Sequence, residues 1–116
     1  MASLPHKPSK LMMEGFIKIE GRQAHGEMIT TDYETGDYAA CALGCVYIGL
    51  GVSPDALAEE CVDTEKLESQ LFDGWNAWHP EGGYYGKIPT IIADLNDESG
   101  WPVWKISNWL RDSLGL

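Results

Sequence analysis

Three thiols and one imidazole are the side chains best suited to chemistry. Cys41 and Cys45 stand four residues apart, so on a helix both sulfurs face the same way. Cys61 and His79 would complete a four-ligand set for zinc. Structural zinc sites favour thiols spaced at a turn, whereas Cys41 and Cys45 lie within an apolar run. Free cysteine is also among the most buried residue types. All three are therefore expected in the core, and no metal or other cofactor is expected. The odd cysteine count leaves at least one thiol unpaired and points to a reducing compartment.

Asp94, Asn96 and Glu98 alternate as at the start of an EF-hand loop. Ser99 occupies the glycine position and Lys105 that of the bidentate glutamate, which excludes a calcium loop. Asn96 and Asp97 read instead as caps or bridges between the two C-terminal helices. His6, His25 and His79 lack spaced partners, and no P-loop, dinucleotide, nucleophile-elbow or zincin pattern occurs. His79 beside Glu81 is the best acid–base candidate, with a surface histidine of no catalytic role as the simpler reading. A protein without enzymatic activity is the expectation.

What remains is a segment dotted with glycine, residues 74–86, carrying Trp75, Trp78, His79, Tyr84 and Tyr85. Four glycines and Pro80 exclude a long helix, so these aromatics are expected on a loop. They either fold back as a lid on the core or stand out as a binding patch of the kind that anchors interfaces. Just upstream, Asp55, Glu59, Glu60, Asp63, Glu65, Glu68 and Asp73 face only Lys66. The carboxylates Glu59, Glu60, Glu65 and Glu68 are expected to border the patch, suiting a basic partner.

The elements that must position these groups follow from the hydrophobic pattern. At 116 residues and 44 % hydrophobic content, one domain is expected, with a loose tail over residues 1–8 and a globular part over 9–116. Ser9 reads as the N-cap of a first helix through Ile19, weakened by Gly15. A β-hairpin is expected over 27–39. Residues 39–50 are apolar nearly all round, as in a buried central helix, and their small residues allow other elements close to its backbone. Ser53-Pro54-Asp55 opens a further helix, and Asp63 or Thr64 another. Ile88, Ile91, Ile92 and Leu95 form one helical stripe, and Val103, Ile106 and Leu110 the last. The fold class is mainly α with a small β-hairpin, four or five helices around residues 39–50.

The chain is acidic, with 8 basic against 18 acidic residues and a net charge of -10. Such a balance disfavours direct nucleic-acid binding. The longest apolar stretch, residues 38–52, is too short and glycine-rich to span a bilayer. With no apolar leader at the N-terminus, the cytoplasm of a bacterial or infected host cell is expected.

Two blocks carry a resemblance. Cys41-Ala42-Leu43-Gly44 is followed, after a variable middle, by Leu95-Asn96-Asp97, Trp101 and Ile106-Ser107-Asn108-Trp109-Leu110. Over about residues 11–112 the sequence resembles a group of small uncharacterised bacterial and phage proteins sharing these blocks. The resemblance implies a helical accessory protein and supplies no catalytic residues. The chain departs from the pattern at Pro102 and Val103, where a polar capping residue is usual, and over residues 55–86. The leading expectation is a non-enzymatic protein-protein interaction module, in its sharper form an inhibitor whose carboxylates mimic nucleic-acid charge. A small-ligand binder or enzyme using residues 74–86, and a structural homo-oligomer, are the alternatives.

Overall fold

The computed structural model describes residues 7–32 and 34–116. Of the tail expected over 1–8, residues 1–6 lie outside the described residues. Pro8 is not part of a tail: it opens helix α1 (Pro8–Lys18) and is buried. Proline suits the first helical turn because its missing N–H is unbonded there anyway. Ser9, expected as the N-cap, is itself buried inside the first turn. Its N–H donates to the Leu116 carbonyl (3.2 Å), and its carbonyl accepts from Ser107 Oγ (3.0 Å).

Strands β1 (Ile29–Thr31) and β2 (Tyr38–Ala40) form an antiparallel hairpin, with Ile29 opposite Ala40. Because β2 takes residues 38–40, the buried helix begins later than residue 39. It is α2 (Ala42–Leu50), with Cys41 as its N-cap and Gly51 in the left-handed conformation at its end. Every residue from Ala42 to Ile48 is buried.

Helices α1 and α2 approach each other closely, and glycine permits it. A Cβ at Gly15 would lie 1.8 Å from the Cys45 carbonyl oxygen, and one at Gly49 would lie 1.9 Å from that of Leu11. Each helix thus presents its glycine to the other's backbone. Gly15, expected only to weaken α1, is what admits α2. Gly49, one of the small residues expected to let other elements approach and also a candidate for the cap, makes the same contact.

Helices α3 (Pro54–Ala58) and α4 (Thr64–Phe72) begin at side-chain caps: Ser53 Oγ accepts from the Ala56 N–H and Asp63 Oδ1 from that of Lys66, both at 3.1 Å. Residues 59–63 separate them, so Cys61 is not on the helix with Leu57 and is exposed rather than in the core. The segment expected as a loop contains a second antiparallel hairpin, β3 (Asn76–Trp78) and β4 (Tyr85–Lys87). Gly82 and Gly83 take positive φ in its connection, so the glycines serve the turn and leave the strands regular. Helices α5 (Ile88–Asp97) and α6 (Val103–Leu114) complete the chain. The described residues thus form six helices and two hairpins, where four or five helices and one hairpin were expected. None of these helices is long and apolar enough to cross a membrane.

Candidate functional site

Alternation along β3 and β4 decides which aromatics meet solvent. Ala77 is buried, so its neighbours Asn76 and Trp78 point outward. On β4, Tyr85 and Lys87 share that outward face, with Trp78 opposite Tyr85 and Asn76 opposite Lys87. Trp78 is 69 % exposed and Tyr85 57 %, and their rings meet edge to face with centroids 5.4 Å apart. Trp75, at the entry to β3, is 38 % exposed. An exposed aromatic pair of this kind is large, stiff and cheap in entropy to order.

Tyr84 does not join this face. It packs half-buried against the core, and its hydroxyl donates to Asp94. Burial, then that carboxylate, pushes its hydroxyl up to about 12. His79 also turns away: its Nδ1 accepts from the Glu81 N–H (3.1 Å), and its ring leans on Tyr84. The Glu81 carboxylate accepts from Ser99 Oγ and, at 3.4 Å, from Trp101 Nε1, which hold it below the usual carboxylate range. His79 and Glu81 therefore form no side-chain acid–base pair. The Glu81 bonds instead pin the hairpin turn to the segment between α5 and α6, while that of His79 stays within the turn.

The acidic segment divides between the two hairpins. Glu65 and Glu68 lie on α4, where Glu68 interacts with Glu65 and with Lys87 of β4. Burial and then Glu65 push the Glu68 carboxyl up, and Lys87 partly offsets them. Glu59 acts instead on Tyr38 of β2, whose hydroxyl donates to Asp55, and Glu60 faces β1 across a cleft. Of the four, Glu68 is the one whose carboxyl feels a side chain of the outward strand face, Lys87 of β4.

The thiols are spent on structure or stand alone. Cys41 Sγ accepts from the Gly44 N–H (3.3 Å) as the cap of α2. Burial raises both buried thiols, Cys45 to about 12. Cys61 is exposed. Among the described residues, no group of three or more His, Cys, Asp or Glu is arranged to hold a metal. Of the EF-hand-like residues, Asp94 accepts from the Tyr84 hydroxyl and the Asn96 side chain is fully hydrogen-bonded.

Asn96 is the polar centre of the fold. Its Oδ1 accepts from Gln23 Nε2 (2.7 Å) and the Ala42 N–H (2.9 Å). Its Nδ2 donates to the Ala24 carbonyl (2.8 Å) and Asp97 Oδ1 (2.7 Å). Asp97 Oδ1 also accepts from the Gly26 N–H (2.8 Å). Asn96 thus ties α5 to the start of α2 and to residues 23–26, a wider span than a link between the two C-terminal helices. Gln23, which sequence reasoning missed, donates to the Trp101 carbonyl (2.9 Å) and accepts from the Val103 N–H (3.0 Å). It caps α6 from 80 residues away. The missing polar cap at Pro102 and Val103 was the only sequence signal for it.

No protein family, curated protein or solved structure matches this chain.

Proposed function

We propose that the protein is a non-enzymatic, cytoplasmic protein-protein interaction module of bacterial or phage accessory type that binds a basic partner through the outward face of β3–β4. The observation that carries this reading is the cross-strand pair Trp78–Tyr85, exposed on the outward face of the hairpin; Glu68 of α4 acts on Lys87 of that same face. Aromatic anchors supply the area, and Glu65 and Glu68 select positive charge. A charge-mimicking inhibitor of a nucleic-acid-binding protein is the sharper form, since spaced carboxylates can stand where phosphates would. A catalytic pocket among Trp75, Trp78, His79 and Tyr85 is less favoured, because the imidazole bonds into its own turn.

The test is affinity capture from bacterial lysate at low and high salt, with every retained protein identified. A basic protein should be retained by the wild type, released by salt, and lost with Trp78→Ala/Tyr85→Ala and with Glu65→Gln/Glu68→Gln. Because Trp78 is exposed, its removal should leave the fold intact. Retention of the same proteins by both double variants refutes the reading. Light scattering of the free protein separates it from a homo-oligomer.

A further inference from the structure

Hydrogen bonds fix which side of β1 is left open. The Cys41 N–H donates to the Met28 carbonyl (2.9 Å) and the Asp32 N–H to that of Asp37 (2.8 Å), so the hairpin ladder runs from Met28 to Asp32. Bonded and unbonded pairs alternate along an antiparallel ladder, which makes Thr30 and Ala39 a bonded pair between these ends. Ile29 and Thr31 are the unbonded positions, and their N–H and C=O groups point away from β2. On the far side of β2 the same alternation is satisfied: the Ala40 N–H donates to the Arg22 carbonyl (3.1 Å), and the Ala40 carbonyl accepts from the Ala24 N–H (2.9 Å). β2 is thus flanked on both sides. The outward groups of Ile29 and Thr31 have no backbone partner among the described residues.

There is room beside that edge. A cleft of about 690 Å³ opens against β1, and no residue of β2 lines it. Met28 and Ile29 form one wall, and Leu57 of α3 with Val62 of the α3–α4 connection forms the other. An open strand edge is a template for a further strand, and proteins commonly guard it with proline, lysine or a bulge. Residues 27–32 contain neither proline nor lysine, and the register of β1 on β2 is unbroken. The β-branched run Ile29-Thr30-Thr31 holds the edge extended.

We infer that the outer edge of β1 takes up an extended, basic segment of a partner protein as an added strand. Main-chain hydrogen bonds to Ile29 and Thr31 supply the affinity, and side chains of the incoming strand pack on Leu57 and Val62. Charge decides the occupant. Glu27 and Glu60 line the cleft and no Lys, Arg or His does, so lysine or arginine on the incoming strand is favoured. A second copy of this chain, at a net charge of -10, is disfavoured. The site is independent of the partner surface on β3–β4, none of whose residues lines the cleft.

The experiment titrates the full chain with the end-blocked peptide Lys-Val-Lys-Val-Lys, followed by amide chemical shifts and hydrogen exchange. In the free protein the Ile29 and Thr31 amides should exchange fast and that of Thr30 slowly. Bound peptide should give saturable shifts at residues 27–31 and slow the exchange of Ile29 and Thr31. The same peptide methylated at every backbone nitrogen keeps its charge but cannot donate, and should bind at least tenfold more weakly, the loss of about 1.4 kcal/mol. Glu-Val-Glu-Val-Glu should not bind. Thr31→Pro removes an outward donor that the ladder does not use, a place where an edge strand tolerates proline. It should fold and bind the peptide about tenfold more weakly, whereas Thr31→Val, which keeps the N–H, should bind as the wild type does. The methylated peptide decides the question even if Thr31→Pro unfolds. Absence of saturable shifts, equal binding of the methylated peptide, or undiminished affinity in a folded Thr31→Pro overturns the inference. Slow exchange of Ile29 and Thr31 in the free protein overturns it too, and where that protection grows with protein concentration and light scattering finds a dimer, the edge belongs to a second copy.

Discussion

Replacing Gly15 by alanine sets two physical effects against each other. In an isolated helix the change is favourable by about 1 kcal/mol, because alanine restricts the unfolded chain and glycine does not. Gly15 has no positive φ, so its backbone conformation accepts alanine. The opposing effect comes from α2. The new methyl would sit 1.8 Å from the Cys45 carbonyl oxygen, 2.7 Å from its carbon and 2.8 Å from the Gly49 nitrogen. Real Cβ contacts essentially never fall under 3.0 Å, so the helices must part by roughly 1 Å. No side chain can rotate away, since all three obstructing atoms are backbone. Overpacking of a core usually costs about 1–3 kcal/mol, and a backbone obstacle puts this site at the top of that range. The net expectation is a loss of about 2 kcal/mol, a fall in melting temperature on the order of 8 °C for a domain of this size. Urea denaturation should show a lower midpoint with an unchanged slope. Glu14→Ala, exposed on the same helix, should stay within about 0.5 kcal/mol of wild type. Gly15→Ala/Gly49→Ala should lose less than the two single losses added, because the first methyl already opens the gap the second needs. A Gly15→Ala variant as stable as wild type, or more so, refutes the packing argument.

Four further outcomes follow from the polar and ionisable groups. Asn96→Asp keeps the acceptor but removes both donors and places a charge beside Asp97; unfolding should become easier by about 3 kcal/mol or more, measured by urea titration. Glu81 has a lowered carboxyl pKa in the fold, so its contribution is present above the unfolded value and disappears as pH falls through the lowered folded one. Glu81→Gln should therefore flatten the melting temperature's decline across that acid window and leave a smaller change in the decline at higher pH. The Tyr47 hydroxyl is buried with no hydrogen-bond partner among the described residues, so Tyr47→Phe should be neutral or stabilising in a thermal melt. A thiol reagent should label one cysteine quickly in the native protein, Cys61, and all three in denaturant, with peptide mapping to identify the site.

The amino-acid sequence by itself determined the local features: the start of α3 at Ser53-Pro54, the apolar run that became α2, and the stripes of α5 and α6. Each rests on interactions within a few residues, where caps and periodicity act. The hairpin at residues 76–87 was hidden because its strands have three residues each, too short for alternation to register, and its glycines read as breakers. The split of the acidic segment was equally invisible, since Glu60 lines a cleft beside β1 while Glu68, a short way on in sequence, acts on Lys87 of β4. The tertiary structure alone decided that Gly15 is the residue of α1 that meets α2, that Gln23 caps a helix 80 residues on, and that Trp78 rather than Tyr84 meets solvent. Those outcomes depend on which backbones and polar groups are brought together from distant parts of the chain. Local propensity carries no information about that, because the partner that satisfies or obstructs a group is not its sequence neighbour.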